Sequence, residues 1–147
     1  MTNSFTVDDR NRIRRRPQRA AYDRDAVYAI LDAGVLCHVG YAIDGQPYVT
    51  PSAYCRHSDR ISWHGSAASR MIETTVGRDV CVTVSFVDGL VLARSHFHHS
   101  IEYRSVILFG RPVVIGDLAE KRRPWMRSLN GFIRAGPTPS DRRRTAN

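Results

Sequence analysis

The stretch Arg60-Ile-Ser-Trp-His-Gly-Ser-Ala-Ala-Ser-Arg-Met71 changes its pattern part-way along. Residues 61–63 read as the end of a strand. Residues 67–76 put Ala68, Met71, Ile72 and Thr75 at the three- and four-residue spacing of a packed helix. A strand running directly into a helix leaves His64, Gly65 and Ser66 at the junction. There Gly65 allows a close backbone approach, Ser66 can cap the helix, and the free N–H groups of a first helical turn attract anions. Arg70, one turn in, adds a permanent charge able to close on a phosphate. Two readings fit this pattern, a phosphate cradle and an ordinary strand-to-helix turn.

The flanking chain reads as strands with few helices. Upstream, Asp23 looks like a helix cap, followed by a helix over residues 24–33 with Val27, Ile30 and Leu31 on one face and Gly34 as its stop. Residues 35–43 are strand-rich. Asp44-Gly45 is a strong hairpin signal, so residues 46–54 should return antiparallel. Pro47 and Pro51 each remove a ladder donor, which confines them to a strand start, bulge or edge. A turn at residues 57–60 leads back into the opening stretch.

Downstream, Gly77 ends the second helix, and Val80, Val82, Val84 and Phe86 alternate with Cys81, Thr83 and Ser85 as in a half-buried strand. A second Asp-Gly, Asp88-Gly89, precedes residues 90–93, and a histidine-rich segment covers residues 94–100. Residues 101–115 are long enough for one bent strand with Gly110 and Pro112 at a bulge or kink. A helix is expected from Leu118 to about Met126. Six or so antiparallel strands with two or three short helices give a mainly β fold, a small barrel with short flanking helices. Residues 1–20 read as a flexible basic arm, residues 21–130 as the folded domain, and residues 131–147, rich in Arg, Gly and Pro, as a disordered basic tail.

A length of 147 residues suits one domain with a real core. No run approaches the ~18–20 apolar residues of a membrane span and the N-terminus lacks a secretory pattern, so the expectation is a cytoplasmic protein without a membrane partner. Cys37, Cys55 and Cys81 are odd in number and far apart, which suits free, mostly buried thiols. The net charge of +8 is concentrated at the ends, in six arginines from Arg10 to Arg19 and seven from Arg122 to Arg144. Such tails attract nucleic acid at low salt, but no recognition helix or exposed aromatic array accompanies them, so no specific nucleic-acid partner is expected.

Other chemistries have less footing. His96, His98 and His99 form the densest histidine cluster, yet no carboxylate or cysteine pair stands near to complete a metal set, so no metal is assigned. A polar loop whose imidazoles line a pocket, and simple exposed loop histidines, are both open. Ser66 lacks the G-x-S-x-G elbow. There is no G-x-G-x-x-G and no P-loop lysine, Lys121 being the one lysine of the chain.

Several short segments in order carry a family resemblance. These are Arg16-Pro17, Gly45-Gln-Pro-Tyr-Val-Thr-Pro51, Trp63-His-Gly-Ser66 with Ser69-Arg70, Val82-Thr-Val-Ser85, Asp88-Gly-Leu-Val-Leu-Ala-Arg-Ser95, His98-His-Ser100 and Tyr103-Arg-Ser-Val106. Over about residues 14–121 the chain resembles the flavin-nucleotide-binding branch of the pyridoxamine 5′-phosphate oxidase-like superfamily, which includes the nitroimidazole-resistance (Nim) proteins. The resemblance implies a homodimeric split β-barrel with FMN in clefts shared by the two subunits. It puts Tyr48, Val49, Thr50, Pro51 and Ser52 beside the isoalloxazine and ribityl chain, with Trp63, His64, Gly65 and Ser66 continuing that wall. It gives the phosphate to Ser69 and Arg70, and brings Ser105 to the ring from the next strand.

The resemblance also implies an FMN-dependent oxidoreductase acting on a small molecule, with NADH or NADPH as electron donor. In that reading His64 or His98 is the candidate proton donor, and His98 and His99 line the substrate side. The C-terminal substrate-phosphate residues of the oxidase itself are not recognisable, which points away from pyridoxamine phosphate oxidation. The alternatives are a non-catalytic flavin- or haem-binding module, and a barrel whose basic tails attract nucleic acid.

Overall fold

The computed structural model of the chain describes residues 3–66 and 68–116. The expected helix from Leu118 and the basic tail lie outside the described residues. Helix α1 (Arg24–Ala33) starts where its cap stands: the Asp23 carboxylate accepts the Ala26 N–H at 2.8 Å. Five strands follow: β1 (Leu36–Ile43), β2 (Gln46–His57), β3 (Arg60–Trp63), β4 (Val80–Val91) and β5 (Ser100–Gly110), with helix α2 (Arg70–Thr75) between β3 and β4. They form one antiparallel sheet in the order β3-β2-β1-β4-β5. The mainly β class is as the sequence indicated. The barrel is not closed among the described residues, where β3 and β5 stand at opposite edges of an open sheet of five strands.

Local chemistry explains the hairpins. Asp44 and Gly45 both take positive φ, 50° and 82°, and pair Ile43 with Gln46 across a two-residue turn. Pro47 and Pro51 sit where β2 has β1 alone as its neighbour, since β3 pairs only with Tyr54 to His57, so their missing N–H groups cost no ladder bond. Asp88-Gly89 is not a turn. The strand carries through it with a bulge between Val87 and Gly89, and Arg104 Nε donates to Asp88 Oδ1 at 3.0 Å. β5 ends at Gly110 instead of bending on to residue 115.

The sheet has two distinct faces. Cys37, Val39, Tyr41, Val80, Val82, Val84 and Val106 point inward and form the core with Tyr54, Leu31 of α1 and Met71 of α2. Tyr54 is 1% exposed, and its hydroxyl donates to the Leu31 carbonyl at 2.6 Å. Gly34 ends α1 with an extended backbone (φ −114°), so no left-handed cap is involved. What the position requires is absence of a side chain: a Cβ there would meet Phe86 Cζ at 2.8 Å and the Tyr54 hydroxyl at 2.9 Å. Arg56 clamps the same helix to the β2–β3 hairpin, donating from Nε to Asp32 at 2.7 Å with its guanidinium 4.2 Å from the Tyr28 ring centre.

The N-terminal residues 3–22 make backbone and ring contacts with the body. Ser4 bridges Asp23, Phe5 packs edge-on against Tyr28, and Arg10 lies over Phe109. No helix among the described residues is long and apolar enough to cross a membrane.

The three cysteines are free; Cys37 and Cys55 are buried and Cys81 is partly exposed. Burial pushes the Cys37 thiol up to about 11 and raises that of Cys55, which keeps both as thiols at neutral pH. Native protein treated with a thiol reagent at pH 8 is therefore expected to label Cys81 first, with Cys37 and Cys55 reacting only after denaturant is added. Labelling of Cys37 in the native state would contradict its place in the core.

Candidate functional site

Alternation along β2 turns Tyr48, Thr50 and Ser52 to the inward face and Val49 and Pro51 to the outward one. Tyr48 stacks on Tyr41, its partner across the hairpin, with ring centres 5.6 Å apart and planes 18° apart, and the Tyr41 hydroxyl lies 3.2 Å from Thr50 Oγ1. Ser52 Oγ donates to the His64 carbonyl at 3.0 Å, tying the segment after β3 to β2. Trp63, opposite Tyr54, is half-buried at the end of β3.

The junction differs from the helix expected over residues 67–76. α2 has six residues, Arg70–Thr75, with Ser69 and not Ser66 as its N-cap. Ser66 instead makes a tight turn: its carbonyl accepts Ser69 N–H at 2.8 Å and its hydroxyl accepts Ala68 N–H at 3.3 Å. Serines favour such local bonds over helix, and β-branched Ile72, Thr74, Thr75 and Val76 add little helical propensity. Gly77, at φ 72°, then ends the element. A helix this short contributes little dipole, so the electrostatic weight falls on Arg70, which stands at the start of the helix and not one turn in. Gly65 has the close-approach role its position suggested, because a Cβ there would lie 3.0 Å from Ile72 Cγ1.

Arg70 is the residue that joins the two halves. Its guanidinium carbon lies 4.5 Å from the centre of the Tyr48 ring, and no acidic side chain pairs with it among the described residues. Ser69 makes no side-chain capping bond, so its hydroxyl is not committed to the helix. Tyr48, Thr50, Ser52, Trp63, His64, Gly65, Ser66, Ser69 and Arg70 thus gather on one rim, formed by β2, the end of β3 and the start of α2. Tyr41 belongs with them, although sequence reasoning passed over it. The two-residue turn pairing 43 with 46 also pairs 41 with 48, and that count was available from the sequence.

Other expected residues stand elsewhere within one chain. Val49 and Pro51 face away from the rim. Ser105 does not lie on the next strand to β2: β1 and β4 intervene, about 14 Å of sheet, and Ser105 faces outward. β4 has β1 beside it at residues 81–83, while its pairing with β5 continues to Val91. The two strands therefore project as an arm, and the 3₁₀ turn His96–His98, with His99 beside it, forms the arm's tip. That tip is ten residues along β4 from Cys81, roughly 33 Å of extended strand, so His98 and His99 are remote from the rim of their own chain. His99 Nδ1 accepts the Ala93 N–H at 3.0 Å. No group of three or more His, Cys, Asp or Glu suited to a metal ion occurs among the described residues.

Comparison with known families matches residues 23–146 to pyridoxamine 5′-phosphate oxidase. The chain belongs to the pyridoxamine 5′-phosphate oxidase family. Its rim is built from the segments whose order carried the resemblance. Among solved structures, a flavocytochrome, Anf3, from Azotobacter vinelandii is 41% identical over 92% of this chain with a TM-score of 0.77. An FAD- and haem-binding protein from Mycobacterium smegmatis is 31% identical over 80% of the chain with a TM-score of 0.69. This family member spans 65% and 60% of the lengths of those two chains. A candidate 5-nitroimidazole antibiotic resistance protein from Bacteroides thetaiotaomicron, 23% identical over 79% of this chain and 70% of its own, shares the fold with a TM-score of 0.61. The curated proteins gave no match.

Proposed function

We propose that this member of the pyridoxamine 5′-phosphate oxidase family binds a flavin nucleotide at the rim of β2, β3 and α2 and acts as an oxidoreductase on a small molecule. The observation that carries the reading is the meeting of Arg70 and Tyr48: an exposed guanidinium without an acidic partner among the described residues, held beside a strand face of aromatic and hydroxyl groups. The donor set fits FMN. Arg70 and the Ser69 hydroxyl suit a phosphate, and Thr50, Ser52 and the backbone of β2 suit a ribityl chain and an isoalloxazine edge. The flavin, when bound, supplies the electron transfer. The chain's own work is to bind it, orient it and keep water away, with His64 at the rim as candidate proton donor. FMN is the smallest ligand that uses every one of these groups; FAD, the flavin named for the Mycobacterium smegmatis relative, would present its pyrophosphate to the same arginine.

Pairing of two copies completes the reading. The flavin site described above lacks Ser105, His98 and His99 in its own chain, and a second copy is the source that would supply them. The outward face of the sheet supports such pairing, since Leu36, Val49 and Ile107 there are at least half exposed.

A haem-binding variant of this reading has one observation in its favour. Of the relatives named above, Anf3 is a flavocytochrome and the 31% identical Mycobacterium smegmatis protein binds haem. An absorbance scan of purified protein separates the two. A band near ~450 nm that NADH or NADPH bleaches without air, and that a nitroaromatic or quinone restores, is the expected result for a flavin oxidoreductase. A Soret band would favour haem, and failure of every donor to reduce bound flavin would contradict the oxidoreductase.

A further inference from the structure

Five guanidiniums lie over aromatic rings among the described residues: Arg10 over Phe109, Arg24 over Phe5, Arg56 over Tyr28, Arg70 over Tyr48 and Arg104 over Phe86. Three of these also pair with a carboxylate, Arg24 with Asp59 at 2.8 Å, Arg56 with Asp32 at 2.7 Å and Arg104 with Asp88 at 3.0 Å. Arg10 stands near Asp79, whose carboxyl is held below its ordinary range by Arg111 and, more weakly, by Arg10. Arg70 is the one of the five with a ring and no carboxylate among the described residues. Glu73, one helical turn on, makes no ion pair with it. Where ring and carboxylate act together they fasten an element, as Arg56 fastens α1 to the β2–β3 hairpin.

The difference decides what each arginine can still bind. A carboxylate takes up N–H donors of the guanidinium fork and neutralises its charge, so an incoming phosphate has to displace it. A ring face attracts the same charge and restrains the side chain while leaving donors of the fork for another acceptor. The Tyr48 ring is itself held. Tyr41, 9% exposed, stacks on it with centres 5.6 Å apart, and the Tyr41 hydroxyl lies 3.2 Å from Thr50 Oγ1. The two rings meet because residues 41 and 48 pair across the Asp44-Gly45 turn. A chain of contacts therefore runs from the core to the exposed guanidinium, from Tyr41 through Tyr48 to Arg70.

We propose that Tyr48, backed by Tyr41, is a positioning residue that holds Arg70 ready for a phosphate and thereby sets the preference of this site for phosphorylated flavins over riboflavin. The proposal rests on the flavin reading above. With Tyr41 and Arg70 both against its ring, Tyr48 belongs to the phosphate end of the site, and its ring is not a stacking surface for the isoalloxazine. An arginine already held near its bound position loses less freedom when the phosphate arrives. Removing the ring releases that freedom without removing the charge, so the loss falls on FMN and spares riboflavin. The restraint is no stronger than the contact that provides it, which at an exposed site corresponds to about a two- to fivefold change in affinity.

Titration of the purified chain with FMN and with riboflavin, read by flavin fluorescence, tests this through the ratio of the two affinities. Tyr48→Leu is expected to lower the FMN-to-riboflavin ratio about two- to fivefold, and Tyr48→Phe, which restores the ring, to keep the wild-type ratio. In an Arg70→Ala background, Tyr48→Leu is expected to leave the ratio where Arg70→Ala alone sets it, because a ring that acts through Arg70 has nothing left to hold. Should Tyr48→Leu not fold, Tyr48→Met, with a flexible apolar side chain and no ring, carries the same expectation. A Tyr48→Leu ratio equal to wild type, while Arg70→Ala still lowers it, overturns the positioning role and leaves the flavin site standing. Equal weakening of FMN and riboflavin places the ring against the isoalloxazine and overturns it too. A wild-type chain that binds neither flavin, or an Arg70→Ala variant with an unchanged ratio, overturns the proposal together with the reading it rests on.

Discussion

Arg70→Ala is expected to weaken FMN binding by about 1.5–3 kcal/mol, roughly ten- to a hundredfold, because it removes a charge-assisted contact to the phosphate. Riboflavin, which lacks the phosphate, should bind the variant only slightly more weakly than wild type. The comparison isolates the contact from any change in fold, since a collapsed rim would lose both ligands. Arg70 has no acidic partner among the described residues to release, so no orphaned charge complicates the measurement. The ring of Tyr48 beneath it would lose its cation, an effect of about 0.5–1 kcal/mol at an exposed site and shared by both ligands. Equal loss of FMN and riboflavin would mean that the phosphate lies elsewhere.

Tyr54→Ala is expected to lower the free energy of unfolding by about 3–5 kcal/mol, the range for removing a large aromatic side chain from a core. Tyr54 is 1% exposed, stands against Gly34 at the end of α1, and holds the Leu31 carbonyl through its hydroxyl. Tyr54→Phe separates the two contributions: it keeps the ring and removes the hydrogen bond, at about 1 kcal/mol. Burial, reinforced by nearby Cys37 and Asp32, pushes the Tyr54 phenol up to about 12, so this bond is retained across the pH range in which the protein would be studied. Urea titrations of the three proteins measure both differences. A loss below 1 kcal/mol for Tyr54→Ala would contradict the packing of α1 on the sheet.

Much of this architecture could be read from residue types because the physics is local. Asp44 and Gly45 accept positive φ, Asp23 reaches its own helix amides, and Val80, Val82 and Val84 alternate because one face of β4 is buried. The start of α2 was placed too early, at residue 67, for an equally local reason. Ser66 was expected to cap the helix, but it closes a turn on Ser69, which becomes the N-cap position instead. Asp88-Gly89 carries the composition of a turn, and only pairing with Arg104 and its neighbours on β5 makes it a bulge.

The candidate site divides along the same line. Residues 48–52, 63–66 and 69–70 are close because one hairpin and one junction bring them together. Ser105, His98 and His99 were assigned to the same site, but strand order is a non-local property. β4 pairs with β1 and carries β5 to the far edge, so these three residues can reach a flavin on this rim only from another chain.

The central claim is that Arg70 and the rim of β2 hold a flavin nucleotide. Its most direct test is titration of the purified chain with FMN, followed by removal of unbound ligand and a visible spectrum. The account requires a retained flavin band near ~450 nm with saturable binding. A protein that stays colourless at every FMN and FAD concentration would contradict it.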